Sequence, residues 1–363
     1  MTSYRFFNGR IFDGEAWHEE FFFQAADGKI LSLEPGADPA PVDLQGATLA
    51  PALIDLQLYG GNRLFFGEHP SQASLEALVA GARAGGALWV MPTVATHSEE
   101  VMAAAAEAVR DYQAAGGKGV LGLHLEGPFI HPAKKGAHLE QYIQEPSLEN
   151  LRRIIALGRG VVRMMTIAPE LFESSGLRLL QEAGILLSAG HSNASYEQAT
   201  RAFNAGVPLA THLYNAMSPL QHRAPGMVGA VLDHGKVMAS IIADGYHVDA
   251  AAIRIAKKIM GERLFLITDA VTENREGYYR HMLRGDRFIL PDGTLSGSAL
   301  SMAKAVRFCV QQVHIPEGEA LRMASLYPAR AAGIDQEYGR IRTGYSSECL
   351  LLDASGQPRL VLY

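Results

Sequence analysis

Eight short apolar runs, separated by stretches with helical spacing, constrain this chain more than any other feature. They are ALIDLQL from residue 52, LWVMP from 88, GVLGLHL from 119, VVRMMTI from 161, GILLSA from 184, VPLAT from 207, KVMASII from 236 and RLFLIT from 263. Regular alternation of apolar runs with helical segments argues for a parallel sheet, and eight is the number at which such a sheet closes into a (β/α)8 TIM-type barrel. The intervening segments agree. SLEALVAGARAGG and VMAAAAEAVRDYQAAGG carry Ala, Leu and Glu at helical spacing and end in Gly, the residue favoured just past a helix C-terminus.

The texture differs at both ends. From Tyr4 to about Leu49 the runs YRFF, EEFFFQ and KILSLE alternate and are broken by NGR, DGE and DGK, which reads as hairpins with Gly-containing turns. After the last barrel run, AVRFCVQQVH and EALRMASLYPARAAG read as helices, and the tail from about Gly339 returns to β-like pieces, SECLLLD and PRLVLY. The expected organisation is a small β module over 1–50, a barrel over 51–335, and a return to the module over 336–363, the two ends forming a small β-sandwich. A chain of 363 residues suits one such large domain with an accessory one.

Bulk properties exclude several function classes. Net charge is −6, with Lys and Arg scattered, so the electrostatic footprint of a nucleic-acid-binding protein is missing. Only two cysteines occur, Cys309 and Cys349, far apart and without CxxC spacing, which rules out a disulfide framework and a thiolate zinc site and points to a reducing cytoplasm. The N-terminus MTSYRFFNGRIFDGE lacks the apolar core of a signal peptide, and no run approaches the roughly 18 apolar residues of a membrane span.

In a β/α barrel the reactive groups project from the C-terminal ends of the strands. Four of the eight runs end in chemistry: GVLGLHLE in Glu126, GILLSAGH in His191, VPLATH in His212 and RLFLITD in Asp269. One carboxylate and two imidazoles suit zinc or a similar divalent ion, because three protein ligands leave a position for water. Asp269 then stands as a general base. His124 shares the HLE run and, by strand alternation, the side of Glu126 one layer deeper; it reads as a packed interior histidine rather than a ligand. The loops GPFIHPAKKGAH, LYNAMSPLQHRAPG and DGYH follow strand ends and shape a pocket, while Lys134 and Lys135 read as solvated loop residues.

These segments resemble the N-acetylglucosamine-6-phosphate deacetylase family of the amidohydrolase superfamily. GLHLEGPFIHPAKKGAH, SAGHSNASYEQA, THLYNAMSPLQHRAPG, ADGYHV, LITDAV, GTLSGSAL and RMASLYPARAAG occur in the family's order. The resemblance implies Glu126, His191 and His212 as metal ligands and Asp269 as catalytic acid/base. It implies contacts to the sugar and its acetyl group from His138 and the backbone at Ala137. Sugar-phosphate contacts are implied for Asn215, Ala216, Arg223 and the stretch Asp244 to His247, and a further substrate-binding strip for Leu295, Ser296 and Gly297. Arg223 would pair with phosphate oxygens, backbone N–H groups at Asn215 and Ala216 would add neutral donors, and His247 a second cation.

Two positions depart from wider patterns. Many amidohydrolases hold a second metal with an HxH pair at the end of the first strand; here DLQLYGG puts Gln57 and Tyr59 there, which argues for one metal and leaves Gln57 for substrate contact. The tail SECLLLD replaces a usual basic, Gly-containing turn. The activity implied is hydrolysis of the acetamide of an amino-sugar phosphate with one divalent ion, zinc or else iron, manganese or cobalt, in a homodimer. His247 is a candidate to reach across the dimer interface. The galactosamine epimer is the alternative substrate. A non-catalytic sugar-phosphate sensor would lack one of the four strand-end groups, and all four are present.

Overall fold

In the computed structural model, which describes residues 1–361, all eight apolar runs fall in one eight-stranded sheet. The strands are β1 (Leu53–Leu58), β2 (Ala87–Ala95), β3 (Leu123–Glu126), β4 (Val162–Ile167), β5 (Leu186–Ala189), β6 (Leu209–Ala210), β7 (Met238–Ile242) and β8 (Leu264–Ile267). Each pairs in parallel with the next in sequence. The seam between β8 and β1 is closed by two backbone bonds just past the strand end, Asp269 N–H to the Gln57 carbonyl at 2.9 Å and Tyr59 N–H to the Ala270 carbonyl at 2.8 Å. The barrel therefore closes at the residues expected to do chemistry.

Helices follow the strands and cover the sheet. Gln72–Ala84 starts at Ser71, whose hydroxyl accepts the Ser74 N–H in a capping box, and buries Leu75, Leu78 and Val79 at three- and four-residue spacing. Each such buried aliphatic side chain contributes about 1.5–3 kcal/mol. Tyr196–Asn204, which follows β5, is capped the same way by Ser195 and Gln198.

The barrel interior is not wholly apolar. His124 is fully buried, with Nε2 2.8 Å from Thr166 Oγ1 and Nδ1 3.2 Å from the Leu56 carbonyl. Thr166 Oγ1 lies 2.8 Å from Thr211 Oγ1, which lies 2.6 Å from Ser188 Oγ. Burial pushes the His124 imidazole down to about 4, so it is a neutral member of a paired network, as its place in the strand implied.

Both chain ends build a β-sandwich. One sheet joins Thr2–Phe7, Phe21–Ala26, Lys29–Ser32 and Ala40–Asp43; the other joins Arg10–Phe12, Trp17–His18, Thr48–Pro51, Cys349–Leu352 and Pro358–Val361. Phe6, Phe23 and Ile30 of the first meet Ile11, Leu49 and Cys349 of the second in one apolar cluster. The DGE and DGK turns close hairpins. NGR does not: Asn8 adopts a left-handed φ of 56°, and the chain passes there from one sheet to the other. Gly9 packs so closely on Ala47 that a Cβ would lie 2.5 Å from its carbonyl oxygen, so the crossing point admits no side chain. Leu362 and Tyr363, the end of PRLVLY, lie outside the described residues.

One element had no counterpart in the sequence reading. After β8 the strands Met282–Arg284, Arg287–Ile289 and Leu295–Ser298 form a small antiparallel sheet over the barrel mouth. Among the described residues, no helix is long and apolar enough to cross a membrane.

Candidate active site

Glu126 is the last residue of β3, and His191, His212 and Asp269 each lie two residues beyond the end of their strands. The last three take left-handed φ angles of 47°, 38° and 54°. Such angles cost a non-glycine residue on the order of 1–3 kcal/mol and persist where the surroundings over-determine them. Here ladder bonds fix the chain: Gly190 N–H to the Ile167 carbonyl, Thr211 N–H to the Ala189 carbonyl and Asp269 N–H to the Gln57 carbonyl, each 2.9 Å. Ser240 Oγ accepts the His212 N–H at 2.8 Å. The reversed backbone turns the side chains inward over the barrel mouth.

Three ligand-type atoms meet there. His212 Nε2 lies 3.1 Å from Glu126 Oε1 and 3.1 Å from His191 Nε2, and His191 Nε2 lies 3.3 Å from Glu126 Oε1. Ligand atoms around a tetrahedral ion with bonds of about 2.0 Å stand about 3.3 Å apart, so the triangle has the dimensions of a metal site. Two facing imidazole nitrogens otherwise have little reason to approach. His191 Nδ1–H donates to the Lys134 carbonyl at 2.8 Å, which leaves the Nε2 lone pair directed into the triangle. All three residues are buried, and together they can hold a divalent cation.

Two further groups flank the triangle. The Thr96 backbone N–H donates to His138 Nδ1 at 3.2 Å, so the proton of a neutral His138 sits on Nε2, 3.0 Å from Glu126 Oε2. Burial, and then the His191 imidazole beside it, push His138 down to about 4 and keep it neutral. Asp269 is buried, and burial followed by the charges of Glu126 and Asp55 raises its carboxyl well above the usual range. Burial acts on Glu126 in the same sense, but the imidazoles of His191 and His138 outweigh it and hold that carboxyl well below its usual range.

The cleft around these groups is lined by Gly136, Ala137, His138, Asn215, Ala216, His247, Leu295, Ser296 and Gly297, among others. His247 Nδ1–H donates to Asp244 Oδ2 at 2.6 Å, leaving Nε2 for a ligand. Gly297, at φ 86°, runs so close to Asp269 that a Cβ would lie 3.0 Å from its carbonyl oxygen, which is why the strip at 295–297 can pack against the Asp269 backbone.

Three expected contacts fall elsewhere. Arg223 is exposed and lines a separate depression with Asn193, Ser195 and Glu197, because its loop runs outward from the barrel rim. The Asn215 N–H, expected to face phosphate, is spent inside a turn on the His212 carbonyl at 2.9 Å. Gln57 is buried beneath the cleft floor, where its Nε2 is 2.8 Å from each of Glu126 Oε1, Asp269 Oδ1 and Tyr59 Oη, so its amide nitrogen is committed to protein groups, while Oε1 has no partner among the described residues. Lys135 forms a loose exposed pair with Glu140 at 3.8 Å, in keeping with a solvated loop.

The model of the amidohydrolase family matches residues 48–359. This chain belongs to the amidohydrolase family. Within that family it is similar to the N-acetylglucosamine-6-phosphate deacetylase of Haemophilus influenzae, with 37% identity over 84% of this chain and 82% of the relative. It is also similar to the N-acetylgalactosamine-6-phosphate deacetylase of Escherichia coli O157:H7, with 33% identity over 95% of this chain and 94% of the relative. The crystal structure of N-acetylglucosamine-6-phosphate deacetylase from Pasteurella multocida superposes with a TM-score of 0.93 and 33% identity, covering 99% of this chain and 98% of that one.

Several cleft residues of this amidohydrolase escaped the sequence reading. Tyr59 was noted only as a replaced histidine, yet its hydroxyl donates to Glu126 Oε2. Thr96, at the end of β2, sets the tautomer of His138. Phe65, Tyr279 and His281 wall one side of the cleft. The last two belong to the segment after β8, where no apolar run or spacing marks them.

Proposed function

We propose that this amidohydrolase removes the acetyl group of N-acetylglucosamine 6-phosphate by hydrolysis, giving glucosamine 6-phosphate and acetate in amino-sugar breakdown. One observation carries the reading: a metal-sized triangle of Glu126, His191 and His212 is flanked by a neutral imidazole donor, His138, and a carboxylate of raised proton affinity, Asp269. The names of the similar proteins supply the substrate class.

An unstrained amide resists water because its carbonyl is weakly electrophilic and its amine leaves badly. Glu126, His191 and His212 would hold one divalent ion, whose chemistry there is to acidify a water and polarise the acetamide carbonyl. Asp269 takes the proton of the attacking water, then returns it to the departing nitrogen. A carboxylate whose proton affinity is raised by burial suits both halves of that exchange. His138 offers its Nε2–H to the oxygen on which negative charge develops, as a preformed donor in a buried site. Ala137, Leu295, Ser296 and Gly297 frame the sugar, and Ala216, His247 and the side chain of Asn215 receive the phosphate end.

Zinc is the ion we propose, since one carboxylate and two imidazoles are a set it accepts, as iron, manganese and cobalt also do. The place where an HxH pair would bind a second ion is taken by Gln57 and Tyr59, both bonded to Glu126, which supports a single-ion centre. A cytoplasmic homodimer completes the reading. The outward position of Arg223 supports it: a guanidinium that cannot serve its own cleft is free to meet the phosphate in the cleft of a second copy. The boundaries 1–50, 51–335 and 336–363 are proposed for the two parts of the chain.

The second reading is the galactosamine epimer, favoured by the Escherichia coli relative that this chain covers almost end to end. Acetate released from equal amounts of the two epimeric sugar phosphates separates them. The expected result is a higher kcat/KM for the glucosamine epimer; release from the galactosamine epimer alone would replace the first reading with the second.

A further inference from the structure

One buried polar atom in the cleft has no partner and no part in the chemistry above. His281, next to the strand Met282–Arg284, is 3% exposed and lines the cleft with Phe65, Tyr279 and Ser296. Its Nδ1 lies 3.0 Å from Ser296 Oγ. Its Nε2 is buried and has no hydrogen-bond partner among the described residues. Three aromatic rings fix the imidazole: Phe65 at 4.9 Å, Tyr279 stacked at 6.0 Å with planes 13° apart, and Phe288 edge-on at 6.5 Å.

A buried polar atom without a partner destabilises a fold, and the bond to Ser296 uses only one of the two ring nitrogens. The imidazole is therefore explained if something in the cleft meets Nε2. Burial pushes the ring down to about 4, so it brings no cation to the cleft, and the groups read as meeting the phosphate, Asn215, Ala216 and His247, belong to other loops. On the sugar-phosphate reading, on which this inference rests, the phosphate at C6 and the acetamide at C2 are already accounted for. The hydroxyls at C1, C3 and C4 remain.

We propose that His281 is a substrate-recognition residue whose Nε2 hydrogen-bonds one ring hydroxyl of the sugar. Ser296 positions it. The bond from Nδ1 to Ser296 Oγ ties the imidazole to the strip at 295–297, so the Ser296 hydroxyl acts through His281 and the strip meets the sugar with its backbone. Neither step involves proton transfer, and the residue is expected to act on binding rather than on turnover.

The test is a cycle between residue and substrate. kcat/KM is measured for the natural sequence and for His281→Phe, which keeps the aromatic packing, on N-acetylglucosamine 6-phosphate and on its 1-deoxy, 3-deoxy and 4-deoxy analogues. His281→Phe is expected to lose roughly tenfold to hundredfold on the parent compound, mainly through KM, the range for one unpaired buried hydrogen bond. One deoxy analogue should cost the natural sequence a similar factor and cost His281→Phe nothing further, a signature that loosened packing alone does not produce. His281→Leu removes the same nitrogen and must show the same coupling if the Phe variant folds poorly. Equal losses on every analogue in both proteins, or a His281→Phe variant as efficient as the natural sequence, would overturn the role of His281 alone. An inactive natural sequence would overturn the underlying reading as well.

Discussion

The carboxylates of Glu126 and Asp269 are joined by a single amide: Gln57 Nε2 lies 2.8 Å from Glu126 Oε1 and 2.8 Å from Asp269 Oδ1. Two buried carboxylates raise each other's proton affinity, and an amide with two N–H donors between them lowers that mutual cost while fixing both orientations. Gln57 thus connects the proposed ion ligand on β3 to the proposed proton-transfer residue after β8. Groups that orient metal ligands this way are worth about 10–100-fold in metal affinity. Gln57→Leu is expected to weaken the apparent metal affinity by about that factor, measured by titrating stripped protein with zinc, and an unchanged affinity would reduce Gln57 to packing.

Asp269→Asn preserves shape and removes the base. Turnover should fall by roughly 10²–10⁴, the range for lost general acid–base catalysis, while substrate still binds. Rates of acetate release and direct substrate binding check this together. Near-normal turnover would move the proton transfer to another group.

His138→Phe tests the neutral donor. The Thr96 N–H holds its Nδ1 as an acceptor, so the neutral ring carries its proton on Nε2, where it can meet an oxyanion. Loss of one such donor costs about 10²–10³ in kcat. A fall confined to KM would instead make His138 a ground-state contact.

Asp55 gives a prediction about stability. Burial pushes its carboxyl up from 3.8 to about 6, against hydrogen bonds from Thr268 and Gln57. The folded state therefore holds this proton more tightly than the unfolded chain. That stabilisation is fully present below pH 4 and is lost as pH rises through about 6, a swing of about 3 kcal/mol. Asp55→Asn cannot titrate, so the unfolding free energy of the natural protein minus that of the variant should fall between pH 4 and 7. Urea unfolding at several pH values measures it, and a difference that does not change with pH would contradict the assignment.

The barrel was legible because its signal is redundant: eight apolar runs, the helical stretches between them and glycine stops agree. The four strand-end groups were legible for the same reason, since a strand's end fixes where its next polar residue projects. The left-handed backbone at His191, His212 and Asp269 was not, because neither His nor Asp advertises a positive φ as glycine does. The segment from Thr272 to Thr294 carries no period to read, so Tyr279, His281 and their small sheet went unseen. Arg223 shows the opposite limit. Its motif named a phosphate contact, but motif order says nothing about which way the loop carries the side chain.

The central claim is that activity needs one divalent ion held by Glu126, His191 and His212. The most direct measurement follows acetate release from N-acetylglucosamine 6-phosphate while metal-stripped protein is titrated with zinc, alongside His191→Ala. The account predicts no release without metal, a linear rise that breaks at one ion per chain, and no rise in the variant over the same range. Full activity in the stripped protein, or a break at two ions per chain, would contradict it.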